Sequence, residues 1–305
     1  MSQKLDIKLV FALFSIALFW GTTYLAIRIG VETIPPMLVT GLRNLIAGGI
    51  LFTYLTSNKQ LEWMVLSRIK QNIIISIMLI ILGNGLTTFS EKYISSGLAA
   101  LIASISPLII VLLNLGLKHE RFSSKMFSGI ILALFGIYLI YQNSIHDFFN
   151  PQYHIGIIAI LCAVSAWSIG TIYSKSMTIQ FGNILVDLCF QMLFAGIFLV
   201  VLQLTIDSHI HVSNWSFRSI GAVFYLAIFG SILGYISYIY ALTQLPSTKV
   251  SVVNYVNVVV AVFLGWLILD EKVTLKMVFA TVFILSGVIV ANYPKRNTKL
   301  NKDAR

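Results

Sequence analysis

Ser96-Gly-Leu-Ala-Ala-Leu-Ile-Ala-Ser-Ile-Ser-Pro-Leu-Ile-Ile-Val-Leu-Leu-Asn-Leu-Gly-Leu, ending at Leu117 and followed at once by Lys118-His119-Glu120-Arg121, decides the architecture of this chain. Between Gly97 and Leu117 it carries no charge, and about twenty such residues cross the roughly 30 Å hydrocarbon layer of a bilayer as a helix. The stretch therefore reads as a transmembrane helix. Its first half is built of small residues (Gly97, Ala99, Ala100, Ala103, Ser104, Ser106), which let neighbouring helices approach closely. Pro107 also leaves the Ala103 carbonyl without its helical donor. Two readings follow: a tightly packed bundle helix with a kink, or a broken helix lining a cavity.

The rest of the chain has the same character. Of 305 residues, 58% are hydrophobic and 10% charged, where a soluble domain carries about 25% charge. The composition is that of an all-α, polytopic membrane protein. A net charge of +10, from 21 Lys and Arg against 11 Asp and Glu, would suggest nucleic acid in a soluble chain; here it points to the positive-inside bias, and no nucleic-acid partner is expected. Cys162 and Cys189 both sit in apolar runs and read as buried free thiols, with no disulfide framework or metal cluster implied. The first apolar run, Leu9 to Ile27, is long enough to span and lacks a typical cleavage site.

Apolar runs broken by charge, proline or polar clusters define ten expected spans: 8–28, 36–55, 71–90, 97–117, 126–142, 155–174, 183–205, 218–241, 249–269 and 275–293. Ten spans leave both termini on one side. With the N-terminus inside, the cytoplasmic segments hold fifteen Lys and Arg and the opposite side five, so both termini are expected in the cytoplasm. The loops are short. The longest, around Gln142–His154 and Ile206–Phe217, bring His209 and His211 two residues apart, but no third ligand at a fixed spacing supports a metal site. The segment from Pro294 onward (294–305) is a basic tail suited to anionic headgroups.

The chain also repeats. At an offset of 151, His119-Glu120-Arg121 falls on Asp270-Glu271-Lys272, Lys125-Met126 on Lys276-Met277 and Gly136 on Gly287; near the start, at 147, Trp20 falls on Trp167 and Arg28 on Lys175. Two five-helix halves follow, 1–145 and 150–293, and because five is odd the second enters the membrane inverted. Inverted repeats build many secondary transporters, with a midplane site at the repeat interface. Duplication in a channel or scaffold gives the same pattern.

Trp20-Gly21 in the first span, Ser96–Glu120 with Pro107, and the second copy ending at Glu271 resemble the drug/metabolite transporter superfamily, specifically its EamA-type members, over essentially the whole chain. The resemblance implies a ten-helix bundle in a bacterial inner membrane with a central cavity walled mainly by spans 1, 3, 4, 6, 8 and 9. It also implies export or exchange of small metabolites, often amino acids. One departure stands out: where such proteins often carry a span-9 proline, this chain has Val258 after Asn257, so the two halves need not bend alike.

No His-Glu-x-x-His, Gly-x-Ser-x-Gly or Walker-type motif occurs, so neither an enzyme nor an ATP-driven pump is expected, and no cofactor. Arg43 lies well inside its span, about 10 Å from the outer end at ~1.5 Å per residue. Burying a cation there costs about 2.5–3.5 kcal/mol on insertion scales, so it is expected either to contact an anion or to bond an adjacent helix; Asp187 is the acidic residue nearest to pairing with it, or a proton-coupling group. Trp20 and Trp167 should stand on opposite sides of the centre as aromatic walls, with packing as the alternative. Asn84, Ser104, Tyr235, Asn254 and Asn257 complete the expected cavity lining; interhelical hydrogen bonds are their other reading. Gly230-x-x-x-Gly234 could serve packing within the bundle or a weak homodimer. Glu120 and Glu271 are expected to cap the helices that follow them or to pair with Lys125 and Lys276. The function expected is amino-acid export or exchange by alternating access. The rivals are a nucleotide-sugar or drug transporter, or a membrane channel or scaffold that carries nothing.

Overall fold

The computed structural model describes residues 7–117, 151–177, 183–207, 210–251, 253–292 and parts of 127–139. All regular structure among them is helical. Eight helices are long and apolar enough to cross a membrane: α1 (Ile7–Gly30), α2 (Pro36–Ser57), α3 (Leu66–Ser90), α4 (Ser96–Gly116), α5 (Pro151–Met177), α6 (Ile184–Ile206), α7 (Phe217–Gln244) and α8 (Ser247–Leu269). A further helix, α9 (Leu275–Asn292), has a shorter apolar core, Met277–Gly287. Large apolar side chains such as Phe11, Phe14, Val201 and Phe263 are exposed on the bundle surface, an arrangement that suits lipid tails as solvent. The chain is a multi-pass membrane protein.

Local sequence sets the helix ends. Pro36 opens α2, where its missing N–H goes unneeded. Ser95, Asn183 and Ser216 cap α4, α6 and α7 by accepting from the backbone N–H of Leu98, Leu185 and Ser219. α3 begins at Leu66, earlier than the expected 71, because Arg68 is paired inside the bundle and need not leave the helix. Cys189 is buried as expected but Cys162 is exposed, a correction that places it on an outward face of α5. Most of the expected fifth span, Glu120, Lys125, His209 and the tail from Pro294 lie outside the described residues. Of the fifth span, Phe135 packs edge to face on Phe283 of α9 at 4.9 Å.

Three features of packing position the centre of the molecule. First, α2 and α6 press together through glycine: a Cβ on Gly48 would lie 2.8 Å from Leu193, and one on Gly196 2.8 Å from Leu45, the close approach that small residues permit in membranes. Second, α4 is the broken helix of the two readings, with segments Ser96–Ala103 and Ser106–Gly116. α8 is interrupted too, between Ser247–Ser251 and Asn254–Leu269, although it has no proline there. Third, α3 over Ser76–Asn84 and α7 over Leu226–Leu233 are wound with i→i+5 bonds. Gly85 N–H reaches the Ile80 carbonyl, and Gly234 N–H reaches that of Phe229. Such π-turns recur at functional sites.

Candidate functional site

Four aromatic rings meet where the two wide turns of α3 and α7 face α1 and α5. Trp20 stands edge-on to Trp167 with centroids 5.2 Å apart, and Tyr235 and Tyr238 lie 5.8 and 4.9 Å from Trp20. Trp20 Nε1 donates to the Gly230 carbonyl at 3.0 Å. Tyr235 is buried; its hydroxyl accepts from Asn84 Nδ2 at 2.9 Å and donates to the Leu79 carbonyl at 3.3 Å. Every buried polar end in this cluster therefore has a partner, as burial demands. The two tryptophans do not stand apart across the centre, as expected from the sequence, but touch at it.

Against these rings lies a cavity of about 80 Å³, lined by Trp20, Tyr24, Arg43, Asn84, Thr87, Ser106, Trp167, Asn254 and Asn257 among others. Six of the eight expected site residues thus share one cavity: Trp20, Arg43, Asn84, Trp167, Asn254 and Asn257. Ser104 and Tyr235 do not line it. Ser104 is fully buried, donating to the Leu101 carbonyl at the α4 break, and Tyr235 acts from behind through Asn84. The walls also differ from expectation in their helices: α2 contributes Arg43, while α7, the eighth expected span, supplies rings behind the wall. Asn257 Nδ2 approaches Asn254 Oδ1 at 3.4 Å and its own Oδ1 accepts nothing, an orphan acceptor at the cavity wall.

Arg43 is 2% exposed, and its Nε donates to Ser231 Oγ of α7 at 3.0 Å. A guanidinium has five N–H donors, so one bond leaves others for the cavity. Asp187 is not its partner. Asp187 Oδ1 accepts from Arg68 Nε at 2.7 Å and from Asn72 Nδ2 at 2.6 Å, and Gln191 Nε2 donates to Asn72 Oδ1 at 2.6 Å. That network lines a second small cavity, about 50 Å³. On α3 it sits at Arg68–Ile75 while the first cavity touches Gly83–Thr87, so the two are some 12 Å apart along the helix at ~1.5 Å per residue, with the aromatic cluster between them. Position along a span predicted the level of Asp187 and not its partner, because Arg68 lay outside the expected span.

The Gly230-x-x-x-Gly234 face packs inside the bundle: a Cβ on Gly230 would lie 2.8 Å from Thr23, and one on Gly234 2.2 Å from Trp20 Nε1. Glu271 caps not the helix that follows it but α4. Its carboxylate accepts from Ser96 N and Ser96 Oγ, both at 2.8 Å, and from Gly97 N at 3.1 Å. Asp270, in the left-handed conformation at φ 52°, turns the chain so that Glu271 can reach back. Negative charge at a helix N-terminus is favourable. At the same end of the bundle lies a residue that reading the sequence missed. Glu91, just past α3, is 0% exposed, and neither carboxylate oxygen has a hydrogen-bond partner. Arg28 of α1 donates to its backbone carbonyl instead. Glu91-Lys92-Tyr93 between serines looks like a solvated turn, and nothing in the sequence signals its burial.

A bundle of membrane-crossing helices closed on a small cavity with one cation, amides and aromatic walls defines a class, the membrane transporters. The chain belongs to the EamA-like transporter family, which it matches over residues 7–142 and again over 154–293. It is 31% identical to the "Uncharacterized inner membrane transporter YedA" of Escherichia coli (strain K12) over 257 residues, 83% of this chain and 80% of that protein. It is 22% identical to the "Uncharacterized transporter YoaV" of Bacillus subtilis (strain 168) over 289 residues, 94% and 97% of the two chains. One solved crystal structure superposes on 93% of this chain and 97% of its own with a TM-score of 0.67 at 19% identity, which shows a shared fold.

Proposed function

We propose that the protein is an inner-membrane carrier that exports or exchanges small metabolites, amino acids first, by alternating access between two inverted five-helix halves (1–145 and 150–293) of ten spans, with both termini cytoplasmic. One observation carries the reading. Residues that the repeat makes equivalent meet each other at the cavity wall or directly behind it: Trp20 touches Trp167, and Asn84 bonds Tyr235, 151 positions on. Contacts between equivalent positions are what a pseudo-two-fold axis through the cavity requires. Two more pairs fit the same axis: Arg28 donates to the Glu91 carbonyl, and Lys175, 147 positions on, donates to that of Leu242, 151 positions beyond Glu91.

The lining suits an amphipathic solute with a carboxylate: Arg43 for the anion, Asn254 and Asn257 for an ammonium or hydroxyl, and tryptophan faces for an apolar side chain. At about 80 Å³, against the roughly 300–1,000 Å³ of ordinary ligand pockets, the cavity is closed to a metabolite. Loading therefore needs a wider state, as in a carrier with a conformational cycle and unlike a standing channel.

Counterflow in proteoliposomes tests this. Vesicles loaded with mixed unlabelled amino acids should accumulate a labelled one saturably, and Trp20→Ala or Arg43→Gln should abolish that uptake with membrane abundance unchanged. Saturable uptake of nucleotide sugars or cationic drugs in place of amino acids would reassign the substrate. Linear, unsaturable flux would make the protein a channel.

A further inference from the structure

A carboxylate buried without hydrogen bonds is among the costliest arrangements in a protein, and the ordinary escape is to take up a proton. Glu91 is in that position. Its side chain is fully buried and both oxygens lack partners. Among the described residues Glu91 makes no ion pair within 4.0 Å, whereas Arg68, at the other end of α3, makes two. Yet cations are at hand. Arg28 is bonded to the carbonyl of the same residue, and Arg28 and Arg43 both act electrostatically on the carboxyl. The other titratable groups around it are Tyr24 on α1 and Glu271 on the α8–α9 turn. α5, packed on the Ser90 carbonyl through Gly156, carries Tyr153 and His154 within a turn of that contact. Burial first and Glu271 second hold the Glu91 carboxyl well above the usual carboxylate range, against the pull of Arg28 and Arg43.

We propose that Glu91 is a proton-binding site that couples transport to the proton gradient, neutral in the state seen here and ionised, paired with Arg28, in the opposite-facing state. The step balances simply. The carboxyl O–H bond breaks, the proton leaves to water on the side then open, and the carboxylate left behind accepts the N–H donors of Arg28, whose bond to the Glu91 carbonyl is released. Return to the present state takes one proton from the other side. The location supports this role. Glu91 ends the helix that carries Asn84 and Thr87 into the cavity, and it lies within electrostatic reach of Arg43, so its charge changes the field that a substrate anion meets there. The coupling rests on the carrier reading above; the protonation does not.

The experiment has two arms. Infrared difference spectra of the full chain in lipid nanodiscs, recorded against pH, should show the C=O stretch of a protonated carboxyl that titrates well above the ordinary carboxylate range and is missing from Glu91→Gln. Glu91→Asp should shift the band, which keeps the assignment testable if the glutamine variant does not fold. Absence of such a band, or its persistence in Glu91→Gln, overturns the proposal. In proteoliposomes, labelled amino-acid efflux should be several-fold faster with an imposed opposing proton gradient than without one, and that ratio should fall to unity in Glu91→Gln. Wild-type flux indifferent to the gradient overturns the coupling. No amino-acid flux in the wild type, with the infrared band intact, removes the carrier reading for amino acids and leaves the proton site standing.

Discussion

At the scale of single residues, charge that cannot reach water governs what substitutions do. A raised native pKa means that the folded protein holds the Glu91 proton over a pH range where the unfolded chain, titrating near an ordinary value of about 4.3, has lost it. Stability from this group is therefore fully present below that ordinary value and lost as pH rises through the native one. Thermal melts in detergent should show wild type losing stability with rising pH relative to Glu91→Gln; parallel curves would refute the assignment. Asp187 behaves oppositely to a spectator. It holds Arg68, whose side chain is 8% exposed, together with Asn72, and Asp187→Ala, leaving that cation half-partnered, should destabilise by about 2 kcal/mol in the same melts. Gly265 has a stricter requirement: a Cβ there would lie 2.5 Å from Glu271 Oε2 and 2.9 Å from Ser96 Oγ. Gly265→Ala should displace the carboxylate from the α4 N-terminus at a cost of about 1–3 kcal/mol. A double variant with Glu271→Gln should lose little more than either alone.

At the scale of helices, the wide turns of α3 and α7 and the gaps in α4 and α8 put irregular backbone at or behind the cavity wall, where a membrane protein tolerates it when neighbouring helices cover it. Gly234 shows why the irregularity needs its particular residues. It leaves the space that the Trp20 indole fills, with the indole N–H on the Gly230 carbonyl. Gly234→Ala should expel the ring, red-shift tryptophan fluorescence and abolish uptake, while Gly49→Ala, with nothing within 4 Å of its Cβ, should do neither. The break in α4 follows from Pro107, which denies a donor to the turn before it; the break in α8 arises without a proline.

At the scale of the molecule, alternating access predicts reciprocal exposure. Cysteines placed at Thr87 and at Gln71, facing the two separate cavities, should react with impermeant thiol reagents from opposite sides, and substrate should change the two rates in opposite directions. Much of this organisation was legible in the residues. Uncharged runs gave the spans, because backbone in lipid must bond to itself. Polar residues such as Asn84 and Asn257 in those runs marked the cavity, because they must face something other than lipid. What stayed hidden depends on contacts between distant segments: the burial of Glu91, the pairing of Asp187 with Arg68, and the reach of Glu271 to Ser96. The wide turns were hidden as well, since i→i+5 winding leaves no composition of its own. Those turns also set an angle. Each is a helix with a surplus residue, which advances every later side chain by about 100° around the axis, so a turn that tightened by one residue would swing Thr87 of α3 away from the cavity it lines.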